Sequence, residues 1–154
     1  MVAAGTQLHP AITEDIQNSC CYCAKEALSR DLRPMDRIIY HLATCSTCQR
    51  ILKEIPKLKR FELQDIKTQP ITPKQLDGMK KLAGSYEALF SRIAMKYRSM
   101  GLNKVALTEK DYRRLILEEY TFLKRPVVVI GKEIFIGNGK NVVAAAIEVA
   151  SSLP

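Results

Sequence analysis

No apolar stretch in the 154-residue sequence approaches the length of a membrane span; the best, PVVVIG at 126–131, is strand-length. The N-terminus lacks a basic segment followed by an apolar one, which sets aside a secretory signal and makes the cytoplasm the expected location. There is no internal repeat and no low-complexity tract. No basic run exceeds KLKR at 57–60, and no basic patch is laced with aromatics, which argues against direct reading of nucleic acid. What remains is an ordinary globule, 47% hydrophobic and 26% charged, long enough for a real core. The net charge of +8, from 24 basic and 16 acidic residues, admits an anionic substrate, but the Lys and Arg are scattered as on a solvated surface. Five cysteines are an odd number, and in a cytosolic chain they suggest metal or redox work before structural disulfides.

Residues 1–34 read differently from the rest. MVAAGTQLHPA has no periodicity and is expected to be disordered. TEDIQNSCCYCAKEALSRD predicts one amphipathic helix, with Thr13 as N-cap, Glu14 and Asp15 in the first turn, and Ile16, Cys20, Cys23 or Ala24, and Ala27 on one face.

From residue 35 onward the pattern changes. RIIYHL predicts a strand, ATCSTCQRILKEI a helix starting near Cys45 or Ser46 and stopped by Pro56, and KRFELQDI, with its alternation of Phe61, Leu63 and then Ile66, a second strand. Strand, helix, strand in that order implies a right-handed parallel βαβ unit. Thr72, Pro73 and Gln75 signal a helix start, and that helix is expected to run to about Leu82 before Gly84. SYEALFSRIAMKYRSM predicts a single further helix ended by Gly101, and Thr108 with Asp111 opens another over EKDYRRLILEEY. RPVVVIGKEIFIGN reads as a hairpin turning at GK or GKE, and NVVAAAIEVA as a last helix. The expected fold is α/β: a small mixed sheet covered by helices, with a helical insertion between its halves.

Cys20, Cys23, Cys45 and Cys48 have the spacing C-x2-C-x21-C-x2-C, close to that of a zinc ribbon. Zinc ribbons favour tight turns with glycine beside each pair. Here Cys23 precedes Ala24 and Cys48 precedes Gln49, so no metal is expected. The redox reading rests on position. Cys45 stands where a strand ends and a helix begins, where free N–H groups and the helix dipole stabilise a thiolate. Cys48, one turn later, is placed to attack a disulfide formed at Cys45. The plainer alternative, two small buried hydrophobes, fits a CxxC after a strand less well. His41, four residues before Cys45, is either a hydrogen-bonded structural residue or a group that orients the thiol. Arg125-Pro126 is the other candidate half of the site. In thioredoxin-like folds a cis-proline opens the hairpin strand and faces the reactive cysteine, and an Arg before it would supply a cation suited to oxyanions. The alternative is a trans-proline at an edge strand with a surface Arg.

Taken together, IIYHLATCSTCQR, DIKTQPITPKQL, YRSMGL and FLKRPVVVIGKEIFIGN resemble, in content and order, the arsenate reductase family that uses glutathione and glutaredoxin and that also contains the Spx-type redox-sensing regulators. The resemblance covers about residues 36–150. It implies a thioredoxin-like fold (βαβ…ββα with the helical insertion), Cys45 as nucleophile, Arg125 as the oxyanion-holding arginine before the cis-proline Pro126, and His41 as the histidine preceding the active-site loop. Several positions depart from the reductase pattern. Cys48 stands where the reductases typically have Ser and the Spx-type branch has Cys. Gln49 stands four residues after the nucleophile in place of an arginine, with Arg50 next. The second anion-binding arginine falls at Ser91, with Arg92 adjacent, and the third at Asn138. Each fixed cation lost removes a charged hydrogen bond of roughly 1.5–3 kcal/mol.

Residues 1–34, with Cys20, Cys21 and Cys23, lie outside the resemblance and are expected to be an extension to a domain of residues 35–154. The activity implied is a thiol-dependent reductase. Cys45 attacks an oxidised substrate, arsenate being the family expectation; Arg125, Arg92 and His41 are the expected substrate-binding residues for the small oxyanion; Cys48 or glutathione resolves; glutaredoxin or thioredoxin reduces the product disulfide. No metal or organic cofactor is held permanently. The alternative is a regulator of the Spx type, whose Cys45–Cys48 pair switches docking to a protein partner such as RNA polymerase.

Overall fold

The computed structural model describes residues 37–153. The expectations for residues 1–34, the N-terminal helix and Cys20, Cys21 and Cys23 among them, lie outside the described residues.

A four-stranded mixed sheet has the order β2-β1-β3-β4. Strand β1 (Arg37–His41) runs parallel to β2 (Glu62–Asp65), with Ile39 opposite Leu63, and helix α1 (Ser46–Glu54) makes the crossover. On its other side β1 pairs antiparallel with β3 (Val127–Ile130), which turns through Gly131 and Lys132 into β4 (Glu133–Ile136). Gly131 has φ +60°, a left-handed conformation that the two-residue hairpin needs and that glycine adopts without steric cost. Helix α6 (Lys140–Ser152) closes the described chain.

The alternation of β1 and β3 divides the interior into two cores. Ile39, Val128 and Ile130 face one side and meet Ile51 of α1 and Val143 and Ala150 of α6. Ile38, Tyr40, Val127 and Val129 face the other and meet the insertion. Both faces of the central strands are therefore covered, which is why they read as near-continuous apolar runs.

The insertion begins with α2 (Pro73–Ala83). Thr72 Oγ1 accepts from the Gln75 N–H while the Gln75 side chain accepts from the Thr72 N–H, a complete capping box. The Gln75 amide also donates to Gln64 Oε1 at 2.8 Å, so the cap of α2 is tied to the buried Gln64 of β2. Helix α5 (Glu109–Glu118) opens with a second capping box at Thr108 and Asp111. Arg113 of α5 grips Asp77 of α2 in a two-pronged ion pair, Nε to Oδ1 at 2.7 Å and Nη2 to Oδ2 at 3.0 Å.

Two expectations are corrected. The single helix over 85–100 is instead two short ones, α3 (Tyr86–Leu89) and α4 (Met95–Ser99). Between them Phe90 pairs with Leu123 in an isolated antiparallel bridge, with Lys124 N–H donating to Leu89 O at 2.8 Å and Ser91 N–H to Phe122 O at 2.7 Å. Phe90 is buried against Phe122 and Tyr112, ring centroids 5.1 and 4.9 Å away. Tertiary burial of one aromatic side chain outweighs local helical preference here. The apolar alternation expected for the second strand does not hold through β2: Phe61 and Ile66, which flank it, are buried, but Leu63 is exposed and Gln64 takes the inward position. β2 is an edge strand, and its Gln64 face is the one the insertion covers. No helix of the described residues is long and apolar enough to cross a membrane.

Candidate active site

Cys45 is the N-cap of α1, reached by a turn from the end of β1. Its N–H donates to Leu42 O and its carbonyl accepts from the Gln49 N–H, both at 3.0 Å. Its side chain is partly exposed, whereas Cys48 is buried. The two thiols influence each other across one helical turn, and position makes them opposite in character. Cys45 is shifted below the ordinary thiol range, first by the backbone N–H of Cys48, then by the Cys48 thiol, the Thr47 N–H and the charge of Arg125; partial burial opposes this. Cys48 is pushed up, first by burial and then by the Cys45 thiol. One helix turn thus holds a thiolate-prone sulfur outside and a protonated thiol beneath it.

The turn carrying Cys45 is fastened on both sides. Gln49 Nε2 donates to Ala43 O at 2.6 Å, and the Ala43 N–H points to Asp65 Oδ1 at 3.4 Å. The Ile66 N–H donates to His41 O at 3.0 Å, so the ends of β1 and β2 are joined just beneath.

Cys45 opens onto a cavity of about 430 Å³ whose walls include Thr47, Lys124, Arg125 and Asn138. The Arg125–Pro126 peptide is cis and leads directly into β3. On the insertion side the cavity meets Ser91, Arg92 and Ile93, and on the hairpin side Ile136 and Val142. Arg92 lines the cavity, but its guanidinium is bound to Glu87 Oε1 and donates to the Tyr112 hydroxyl at 3.1 Å. Asn138 and Ser91 occupy the wall uncharged, and the Gln49 amide is committed to Ala43. Lys124 Nζ donates to Ala88 O at 2.9 Å, which ties the cavity wall to α3.

The structure therefore gathers Cys45, Arg125 and Arg92 around one cavity, with Cys48 immediately below Cys45. His41 is not among the residues lining that cavity; its side-chain Nδ1 is buried with no hydrogen-bond partner among the described residues. Sequence reasoning did not single out Lys124, Ile93, Ile136 or Val142. Lys124 adjoins Arg125 in sequence and could have been found there. The apolar three come from separate segments that only the tertiary fold brings together.

The ArsC family model matches residues 40–146, well over half of the chain. No curated protein matches the sequence. Among solved structures, the chain is similar to a protein described as related to the ArsC family from Bacteroides fragilis, with 20% identity, 73% of this chain and 98% of that one covered, and a TM-score of 0.62. It is also similar to an arsenate reductase from Vibrio cholerae (16% identity, 75% and 98% covered, TM-score 0.59). A third neighbour, an arsenate reductase (ArsC) related protein from Brucella melitensis, has 21% identity, 77% and 97% covered, and a TM-score of 0.51. At these identities the likeness is one of fold: thioredoxin-like, with the helical insertion between the βαβ and ββα halves. On the match of the family model to the greater part of its sequence, the chain belongs to the ArsC family.

Proposed function

We propose that the protein is a thiol-dependent oxidoreductase whose nucleophile is Cys45 and whose substrate is arsenate. The observation that carries the reading is the contrast between two thiols one helical turn apart: Cys45 partly exposed, shifted down and beside Arg125, and Cys48 buried and shifted up. The Cys45 thiolate attacks the arsenic and displaces a hydroxyl as water, leaving an anionic adduct beside Arg125. Arg92 joins in holding that anion if its guanidinium leaves Glu87 and Tyr112. Cys48, or glutathione from solution, then attacks the Cys45 sulfur. The S–As electron pair goes to arsenic, arsenite leaves, and Cys45 is left in a disulfide. Glutaredoxin or thioredoxin returns it to the thiol. This chemistry requires no permanently held metal or organic cofactor.

A second reading is favoured by the shortage of free cations around Cys45. Arg92 is held by Glu87 and Tyr112, Gln49 is turned to Ala43, and Asn138 is neutral. In that reading the Cys45–Cys48 pair is a switch, and its oxidation changes docking to a protein such as RNA polymerase.

The deciding experiment follows NADPH consumption with arsenate, glutathione, glutaredoxin and glutathione reductase, comparing wild type with Cys45→Ser. Arsenate-dependent turnover that the variant loses is the expected result. Turnover no higher than the variant's background removes arsenate as substrate under those conditions. A pull-down whose recovered partner depends on the oxidation state of the pair would then favour the switch.

A further inference from the structure

Among the described residues five large apolar side chains are exposed, and four of them, Ile93, Met95, Met100 and Val105, fall in one stretch of the insertion. Ile93 and Met95 are 92% and 90% exposed, close to what the free chain would show. Ile93 also lines the Cys45 cavity, so one end of this apolar stretch forms part of the cavity wall. Its charge is of one sign. From residue 88 to residue 108 there is no Asp or Glu, while Arg92, Lys96, Arg98 and Lys104 all lie there. Glu87 engages Arg92 and Glu119 engages Lys96. Arg98 and Lys104 make no ion pair among the described residues. At the cavity itself Lys124 and Arg125 extend the same sign of charge, and no carboxylate is among its lining residues.

Solvated apolar side chains of this size interleaved with unpaired cations mark a binding face, and one-signed charge selects an oppositely charged partner. A cavity of about 430 Å³ lies within the roughly 300–1,000 Å³ that holds ligands of drug size, well beyond a single tetrahedral oxyanion. We infer that residues 93–105 dock an acidic, apolar-containing polypeptide segment that presents a disulfide to Cys45. A lipid surface would satisfy the same charge and apolarity, but it offers no reducible sulfur to the cavity on which this face opens. The inference rests on the oxidoreductase reading above and names a further substrate class for the same site.

The step balances as a thiol–disulfide exchange. The Cys45 thiolate attacks one sulfur of the partner disulfide; the Cys45–partner S–S bond forms, the partner bond breaks, and the departing thiolate takes a proton from water. Cys48 gives its proton to water and attacks the Cys45 sulfur, forming the Cys45–Cys48 disulfide and breaking the Cys45–partner bond; the partner's second sulfur leaves as a thiolate and takes a proton from water. Two electrons pass from the Cys45–Cys48 pair to the partner, and a dithiol protein of the glutaredoxin or thioredoxin class restores the pair.

The test is stopped-flow oxidation of the reduced full chain by three probes. Two are peptides closed by one disulfide, flanked by Glu and Leu or by Lys and Leu; the third is hydroxyethyl disulfide. The Met95→Ser/Arg98→Glu double variant, whose altered side chains lie outside the cavity, is run alongside. The acidic peptide is expected to react about tenfold faster than the basic one at low salt. That advantage should shrink with added salt and in the double variant, while hydroxyethyl disulfide reacts equally with both proteins. Equal rates for the two peptides overturn the docking face but leave the oxidoreductase reading standing. No reaction of Cys45 with any of the three overturns both. If the peptides react alike and the double variant instead loses binding to phosphatidylserine vesicles, the face belongs to a membrane; if it disperses a dimer of the chain, to a second copy. Either result overturns the inference.

Discussion

Cys45 and Cys48 differ in exposure and in the direction in which their thiols are shifted, although only two residues separate them. Cys45 receives the first-turn N–H groups of α1 and the charge of Arg125; Cys48 receives burial. The predicted consequence is that iodoacetamide alkylates Cys45 far faster than Cys48, with a midpoint below the roughly 8.5 of a free thiol. Arg125→Ala should move that midpoint up, because a nearby cation that favours the thiolate is gone. The sign for stability follows from linkage. The lowered thiol contributes stability that is fully present above its unfolded midpoint and lost as pH falls through the folded one. Urea unfolding of wild type and Cys45→Ser should therefore diverge as pH rises toward about 8.5, with the wild type the more stable. Curves that stay parallel across that window would contradict the assignment. Position explains why this pair was legible in the sequence: a CxxC between a β-branched run and a helical period puts its first cysteine at a helix start. The commitment of Arg92 to Glu87 and Tyr112 was not legible, because Tyr112 lies a helix away in the chain and meets Arg92 only through the fold.

At the scale of elements, the starts of α2 and α5 could be read directly, since a capping box is local chemistry within four residues. The break between α3 and α4 could not. Nothing in SYEALFSRIAMKYRSM opposes a continuous helix as strongly as a proline would. The break exists because Phe90 is drawn into the core between Tyr112 and Phe122 and its neighbours hydrogen-bond to the segment before Pro126. Phe90→Ala should cost about 3–5 kcal/mol of unfolding free energy, as for other buried aromatic truncations. It should also slow reaction at Cys45, because the stretch anchored by Phe90 carries the Ser91–Ile93 wall of the cavity. Denaturant unfolding and alkylation rates measure the two effects. A loss below about 1 kcal/mol would mean that the insertion does not depend on this anchor.

For the whole molecule, the ArsC family model spans residues 40–146, and about three quarters of this chain covers 98% of the solved neighbours from Bacteroides fragilis and Vibrio cholerae. On that ground a chain beginning at Met35 is expected to fold by itself, with cooperative thermal unfolding and a midpoint within a few degrees of the full chain's. Loss of the cooperative transition would show that residues 1–34 belong to the folding unit.

By itself the sequence determined the order of the strands, the parallel βαβ unit, the hairpin and the place of Cys45 at the start of a helix. Each of these is written in local signals: period-2 and period-3.6 apolar patterns, caps, turn residues and a CxxC at a strand–helix junction. Only the tertiary structure decided which cations stand free beside Cys45, where the insertion breaks, and that Gln64 rather than Leu63 faces inward. Those outcomes depend on contacts between residues far apart in the chain, whose burial and pairing energies exceed local propensity and leave no periodic trace in the sequence.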